Sequence, residues 1–177
     1  MFGYLSHMAR TKTIADAQVL ATVRSLLASG GDKAISFGSV GRATKLAPST
    51  LAQRYGTVAA MRSAALLDGW QVLAMDTAAA LDSVADKGPQ GVLKAMDAVA
   101  SQVPMLLAAS TDDDSRKCAT DWRVTVETAL AQRLASSGDK TGDKAREAAA
   151  ILFAAWQGQN LWGADGFRIK DAVKRLT

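Results

Sequence analysis

The sequence predicts an all-α fold, and three observations carry that expectation. Alanine is abundant, prolines number three in 177 residues, and runs of Val, Ile, Thr and Tyr are few, a bias toward helix over strand. Apolar residues recur at three- and four-residue spacing, as at Val19, Leu20, Val23, Leu26 and Leu27. Glycine- and proline-bearing breaks such as SGGDK (29–33) and DKGPQG (86–91) separate these stretches. With 49% hydrophobic and 21% charged residues, the balance is globular rather than disordered.

The elements are expected in this order. MFGYLSHM (1–8) differs in character from the rest of the chain and reads as a cloning remnant or a disordered lead; without it the chain has no histidine. A first helix should start near Thr13, where Thr13 and Asp16 form a capping-box pattern, and stop at the glycines 30–31. Ser36 should cap a second helix reaching Thr44, with Phe37, Val40 and Ala43 facing inward. A turn (45–47) comes next, then a third short helix opened by Pro48, with Leu51 and Tyr55 inward and Gly56 as its stop. Thr57 should cap a long fourth segment that Gly69 divides. The helix after residue 91 should kink or end at Pro104. STDDDSRK (110–117) opens the next helix, with three aspartates suited to a helix N-terminus. Further helices are expected over 145–161 and 168–175. All four tryptophans fall after residue 57, in the longer helices.

Charge is unevenly distributed. Residues 1–66 hold eight basic and two acidic side chains, net +6, whereas the remainder is net −2. A basic third on a slightly acidic body points to a polyanion partner at one end. A single cysteine, Cys118, excludes an internal disulfide and suits a reducing, cytoplasmic compartment. No apolar run is expected to reach the roughly 20 residues that span a bilayer, so no membrane partner is expected. Neither a nucleophile–base pair, a metal-ligand spacing nor a phosphate-binding loop is evident. The expectation is therefore a non-enzyme with no cofactor and no metal, the aspartate triplet being a capping cluster.

VLATVRSLLASGG (19–31) and ISFGSVGRATKLAPSTLAQRYG (35–56) resemble the N-terminal segment of TetR-type transcriptional regulators. The spacing holds without a gap over residues 19–61. Ser36 takes the capping position, Val40-Gly41 stands where Ile-Ala is usual, and Thr50-Leu51 opens the Thr-Leu-Tyr signature. Ala52 departs from that signature's Tyr, Val58 from a phosphate-meeting Lys, and Lys45 from the turn's glycine. The remainder resembles the family only in being helical and of suitable length.

The resemblance implies a helix-turn-helix DNA-binding domain over 9–57 and a helical ligand-binding and dimerisation domain over 58–177. By matching positions, Pro48, Ser49, Ala52 and Gln53 should face the major groove of double-stranded DNA, with Arg42 and Lys45 reaching toward it. Gln53 has the reach for a bidentate contact, which suits adenine. Phosphate contacts are expected from Ser36, Thr50, Arg54 and Thr57, with Arg10 and Lys12 forming an arm. Trp70, Met96, Met105, Trp122, Val126 and Phe153 are the expected lining of a pocket for a small apolar or aromatic effector. Leu130, Trp156, Gly158, Leu161 and Trp162 are the expected homodimer seam. The expected function is an effector-responsive repressor on a palindromic operator. The alternative is a helical small-molecule- or partner-binding protein of the same shape that no longer reads DNA specifically.

Overall fold

A computed structural model describes residues 14–136, 142–163 and 169–176. The fold is all-α, with no strand among the described residues. The chain divides into two compact units, Met1–Arg62 and Ser63–Thr177.

The first unit contains α1 (Asp16–Gly30), a 3₁₀ turn (Asp32–Ala34), α2 (Phe37–Thr44), α3 (Pro48–Tyr55) and the opening turn of α4 (Val58–Ser83). Helix α2 packs on both α1 and α3. Val19, Val23, Val40, Leu51 and Met61 are fully buried and form this unit's centre. Each such side chain contributes about 1.5–3 kcal/mol on burial.

Helix α1 departs from expectation at its start. The flanking residue is Ala15, which makes no side-chain cap, and Thr13 lies outside the described residues. Asp16 is engaged elsewhere: its Oδ1 accepts from the Tyr55 hydroxyl at 3.1 Å and from Arg54 Nη1 at 3.2 Å. Helix α2 has the expected capping residue. Ser36 Oγ accepts from the Ser39 N–H at 3.0 Å, while the Ser36 N–H donates to Ser39 Oγ at 2.9 Å. Its inward face is Val40, Gly41 and Thr44 rather than Phe37, Val40 and Ala43; Phe37 is half-buried and Ala43 exposed. Thr44 can be buried because its hydroxyl donates to the Val40 carbonyl at 2.8 Å.

The second unit holds the rest of α4, then α5 (Pro89–Val99), α6 (Val103–Ala109), α7 (Asp113–Ser136), α8 (Asp143–Trp162) and α9 (Ile169–Leu176). Helices α7 and α8 pack together, α5 lies against α7, and α9 touches both α5 and α8. Thr57 caps α4 as expected, its Oγ1 accepting from the Ala60 N–H at 3.0 Å. Gly69 does not divide α4, which is continuous through a buried Gly69. One helical glycine costs about 1 kcal/mol, which the buried Ala65, Leu66, Trp70 and Leu73 of the same helix outweigh.

The break between α5 and α6 is a 3₁₀ turn at Ala100–Gln102, and Pro104 sits in the first turn of α6, where its missing N–H is harmless. The stretch Pro89–Ala109, 21 residues, is long and apolar enough by composition to cross a membrane, so the expectation that no such run exists does not hold. The 3₁₀ turn interrupts it, and Val92, Leu93, Met96, Val103 and Leu106 are buried within the protein.

The aspartate triplet serves as a cap. Asp112 accepts from the Ser115 N–H at 2.8 Å and from the Ser115 hydroxyl at 2.9 Å. Asp113 and Asp114 then occupy the first turn of α7, where the helix dipole favours negative charge.

Candidate functional site

Two places bear on the expected function: the outer surface of α2 and α3 in the first unit, and the cavities beside Trp122 in the second.

The first is built by a tight connection. Lys45 ends α2 with φ 58° and ψ 28°, the only non-glycine at positive φ among the described residues. Its side chain stands where glycine would be free of strain. The Leu46 N–H donates to the Gly41 carbonyl at 3.1 Å, and a Cβ on Gly41 would come within 2.6 Å of the Leu46 carbonyl oxygen. The turn therefore rests directly on α2, and only glycine fits at residue 41. Pro48 then opens α3. Leu51 faces fully inward, and Tyr55 is half-buried.

The opposite side of α3 is open. Pro48, Ser49 and Gln53 are exposed, Thr50 and Ala52 half-buried, and Arg42 and Lys45 exposed beside them. Among the residues expected to touch DNA, Arg54 is differently placed. It is half-buried, and its Nη1 donates to the Ile14 carbonyl at 3.0 Å as well as to Asp16. It ties the end of α3 to the start of α1. Ser36 and Thr57 are exposed but already serve as caps. Arg10 and Lys12 lie outside the described residues. One sequence signal belongs beside these: residues 33–67 contain no Asp or Glu, so no acid of α2 or α3 offsets Arg42 and Lys45.

In the second unit, four rings form one cluster. Trp122 lies 6.3 Å from Trp70, 5.8 Å from Phe153 and 6.4 Å from Trp156 between centroids. Each buried indole N–H has a partner on another part of the chain. Trp70 donates to Ser110 Oγ at 3.1 Å, Trp122 to the buried Thr77 Oγ1 at 2.8 Å, and Trp156 to Asp97 Oδ1 at 2.6 Å.

Two cavities flank Trp122. The larger, about 390 Å³, is lined by Pro104 and Leu107 of α6, Ala119, Thr120, Trp122 and Arg123 of α7, and Phe153, Gln157, Gly158 and Leu161 of α8. The smaller, about 270 Å³, lies between α4 and α7 and includes Trp70, Thr77, Cys118, Asp121 and Trp122. At its rim Lys117 Nζ donates to Asp121 Oδ2 at 2.5 Å, and this hydrogen bond raises the Lys117 pKa above its ordinary value.

The structure thus brings Trp122 and Phe153 to the larger cavity and Trp70 to the smaller. Met96 and Val126 are fully buried core residues that line neither, and Met105 is half-buried away from both. The seam residues separate likewise. Trp156 is 2% exposed and Leu130 0%, so both belong to the core and cannot meet a partner. The helical period turns them toward the α7–α8 contact. Leu161 and Trp162, at 63% and 80%, are open to solvent, and Gly158 faces free space. The sequence reading missed Ile151 and Val124, also exposed and apolar, and the cavity residues Leu107, Arg123 and Gln157. Exposure of an isolated Ile or Val leaves no mark in the helical period, because such faces carry alanine and charge alike.

No family model and no curated protein matches the chain. A solved structure is similar in fold: a protein with unknown function from Rhodococcus sp. RHA1, with a TM-score of 0.68 and 16% sequence identity, covering 94% of this chain and 94% of that one.

Proposed function

We propose that the chain is an effector-responsive, DNA-binding transcriptional regulator of the TetR type, a cytoplasmic repressor that acts as a homodimer on a palindromic operator. The observation that carries this reading is the α2–turn–α3 segment. Two eight-residue helices are held by a three-residue turn pressed onto Gly41, and the outer side of α3 is left unpacked. Such a pair lets the second helix enter a major groove while the first crosses the backbone. The acid-free run 33–67 and the exposed Arg42 and Lys45 supply the positive field that draws phosphate.

Direct readout falls to Gln53, since Pro48, Ser49 and Ala52 are short. They favour methyl contacts and sensitivity to groove shape. Phosphate contact by Arg54 is weakened as an idea, because its guanidinium is held by Asp16 and the Ile14 carbonyl. In the second unit, the cavity walled by Trp122 and Phe153 is the candidate effector site. The exposed Ile151, Leu161 and Trp162 of α8 and Val124 of α7 are the candidate seam. A two-fold seam would set two reading helices about 34–36 Å apart, one turn of the duplex.

The test is fluorescence anisotropy of the full chain against its own upstream DNA and an unrelated duplex, from low to moderate salt. The regulator reading expects a clear preference for the upstream DNA and a logarithmic affinity that falls linearly with log salt. Equal binding to both duplexes at low salt defeats it and favours a binding protein that has kept only the shape.

A further inference from the structure

We propose that the larger cavity selects an apolar molecule carrying a carboxylate, with Arg123 and Gln157 receiving the acid group and Trp122 and Phe153 the apolar body. This rests on the effector-responsive half of the proposed function and gives its ligand a chemical class.

The hydrogen-bonding groups of the cavity decide the class. Its walls are Pro104, Leu107, Trp122, Phe153 and Leu161, so the body of any ligand must be apolar. The Trp122 N–H is spent on Thr77, and the Thr120 hydroxyl donates to the Arg116 carbonyl at 3.0 Å. Arg123 and Gln157 remain. Among the described residues Arg123 is paired only with Glu127, through Nε at 3.9 Å, too long for a hydrogen bond. Its terminal nitrogens have no partner among the described residues, and guanidinium has donors and no acceptor. Gln157 is half-buried and its side chain makes no hydrogen bond among the described residues, so its amide N–H₂ is available as well. Among the described residues no acidic side chain lines the cavity. A guanidinium and an amide N–H₂ above an aromatic floor match a carboxylate on an apolar frame, and the Arg123 charge disfavours an amine. At about 390 Å³ the space is near the small end of the roughly 300–1,000 Å³ usual for ligand sites, which limits the body to one ring or a medium alkyl chain.

The experiment titrates the full chain, without DNA, by calorimetry. The probes are 4-phenylbutanoate and decanoate, their alcohols 4-phenylbutan-1-ol and decan-1-ol, and 4-phenylbutylamine. At least one acid should bind about tenfold tighter than its alcohol, the size of one charge-assisted contact at a partly exposed site, with the amine weaker still. Arg123→Gln should bring the acid down to the alcohol without lowering the melting temperature, because Arg123 is largely exposed. Gly158→Leu adds a side chain where the glycine meets free space and should abolish binding of acid and alcohol while the helix stays folded. The proposal is overturned if neither acid binds, if acid and alcohol bind alike, or if the acid keeps its preference in Arg123→Gln. Acid binding that leaves promoter affinity unchanged would sink the effector-responsive half of the regulator reading and spare this one. Promoter binding with no bound acid would do the reverse.

Discussion

Trp122 and Thr77 show how single residues are committed in the second unit. The indole N–H meets a hydroxyl that is fully buried. Trp122→Phe should therefore cost about 1–3 kcal/mol for the unpaired hydroxyl, plus the lost ring volume. Adding Thr77→Val should recover part of that loss, since an apolar pair leaves nothing unsatisfied. Urea unfolding of the two single variants and the double variant measures this, and strictly additive losses would remove the hydrogen bond from the account. At the outer side of α3 the relevant residue is Gln53, exposed and long enough to reach a base edge. If the regulator reading holds, Gln53→Ala should relax preference at one base pair by about 1–3 kcal/mol, as scored on an operator library with single substitutions, and leave melting unchanged.

The α2–turn–α3 connection is governed by two backbone positions. Gly41 has no room for a Cβ, because the Leu46 carbonyl stands 2.6 Å from where one would lie. Lys45 occupies a left-handed conformation that glycine adopts freely. Lys45→Gly should accordingly stabilise the first unit by about 1 kcal/mol, seen as a higher thermal midpoint. If the Lys45 ammonium also meets phosphate, the same variant should bind DNA more weakly with a shallower salt slope. Stability and affinity thus move in opposite directions, a result that a purely structural role for Lys45 does not produce.

For the whole molecule, the proposed homodimer is the property to test. Helix α8 carries Ile151, Leu161 and Trp162 into solvent, three large apolar side chains on a helix whose other side is packed. Trp162 is 80% exposed and does not line the larger cavity, so Trp162→Glu tests the proposed seam apart from the proposed ligand site. Light scattering behind size exclusion should give a dimer for the parent chain and a monomer for Trp162→Glu, with an unchanged far-UV circular dichroism spectrum and a melt lowered by no more than the lost association. A monomeric parent would exclude the seam and, with it, binding to a two-fold operator in the proposed way.

The helices were legible in the sequence because their signals are local. Ser36 and Thr57 sit where helix-capping hydroxyls are needed, Pro48 where a helix begins and Gly56 where one ends; all four act there. The 3.6-residue period also marked Val19, Val23 and Leu51 as interior. Choices that depend on distant neighbours were not legible. Asp16 could have capped its own helix, yet it answers to Arg54 and Tyr55, some 38 and 39 residues away in sequence. The sequence placed the tryptophans in the later helices, but which rings would be sealed in the core and which would border a cavity was fixed by how those helices pack. That packing enclosed Trp156 and Leu130 and left Leu161 and Trp162 in water. Local capping and periodicity are properties of one helix and can be read from its residues. The facing of a helix toward core, cavity or solvent is set by its partners, and only the tertiary structure supplies them.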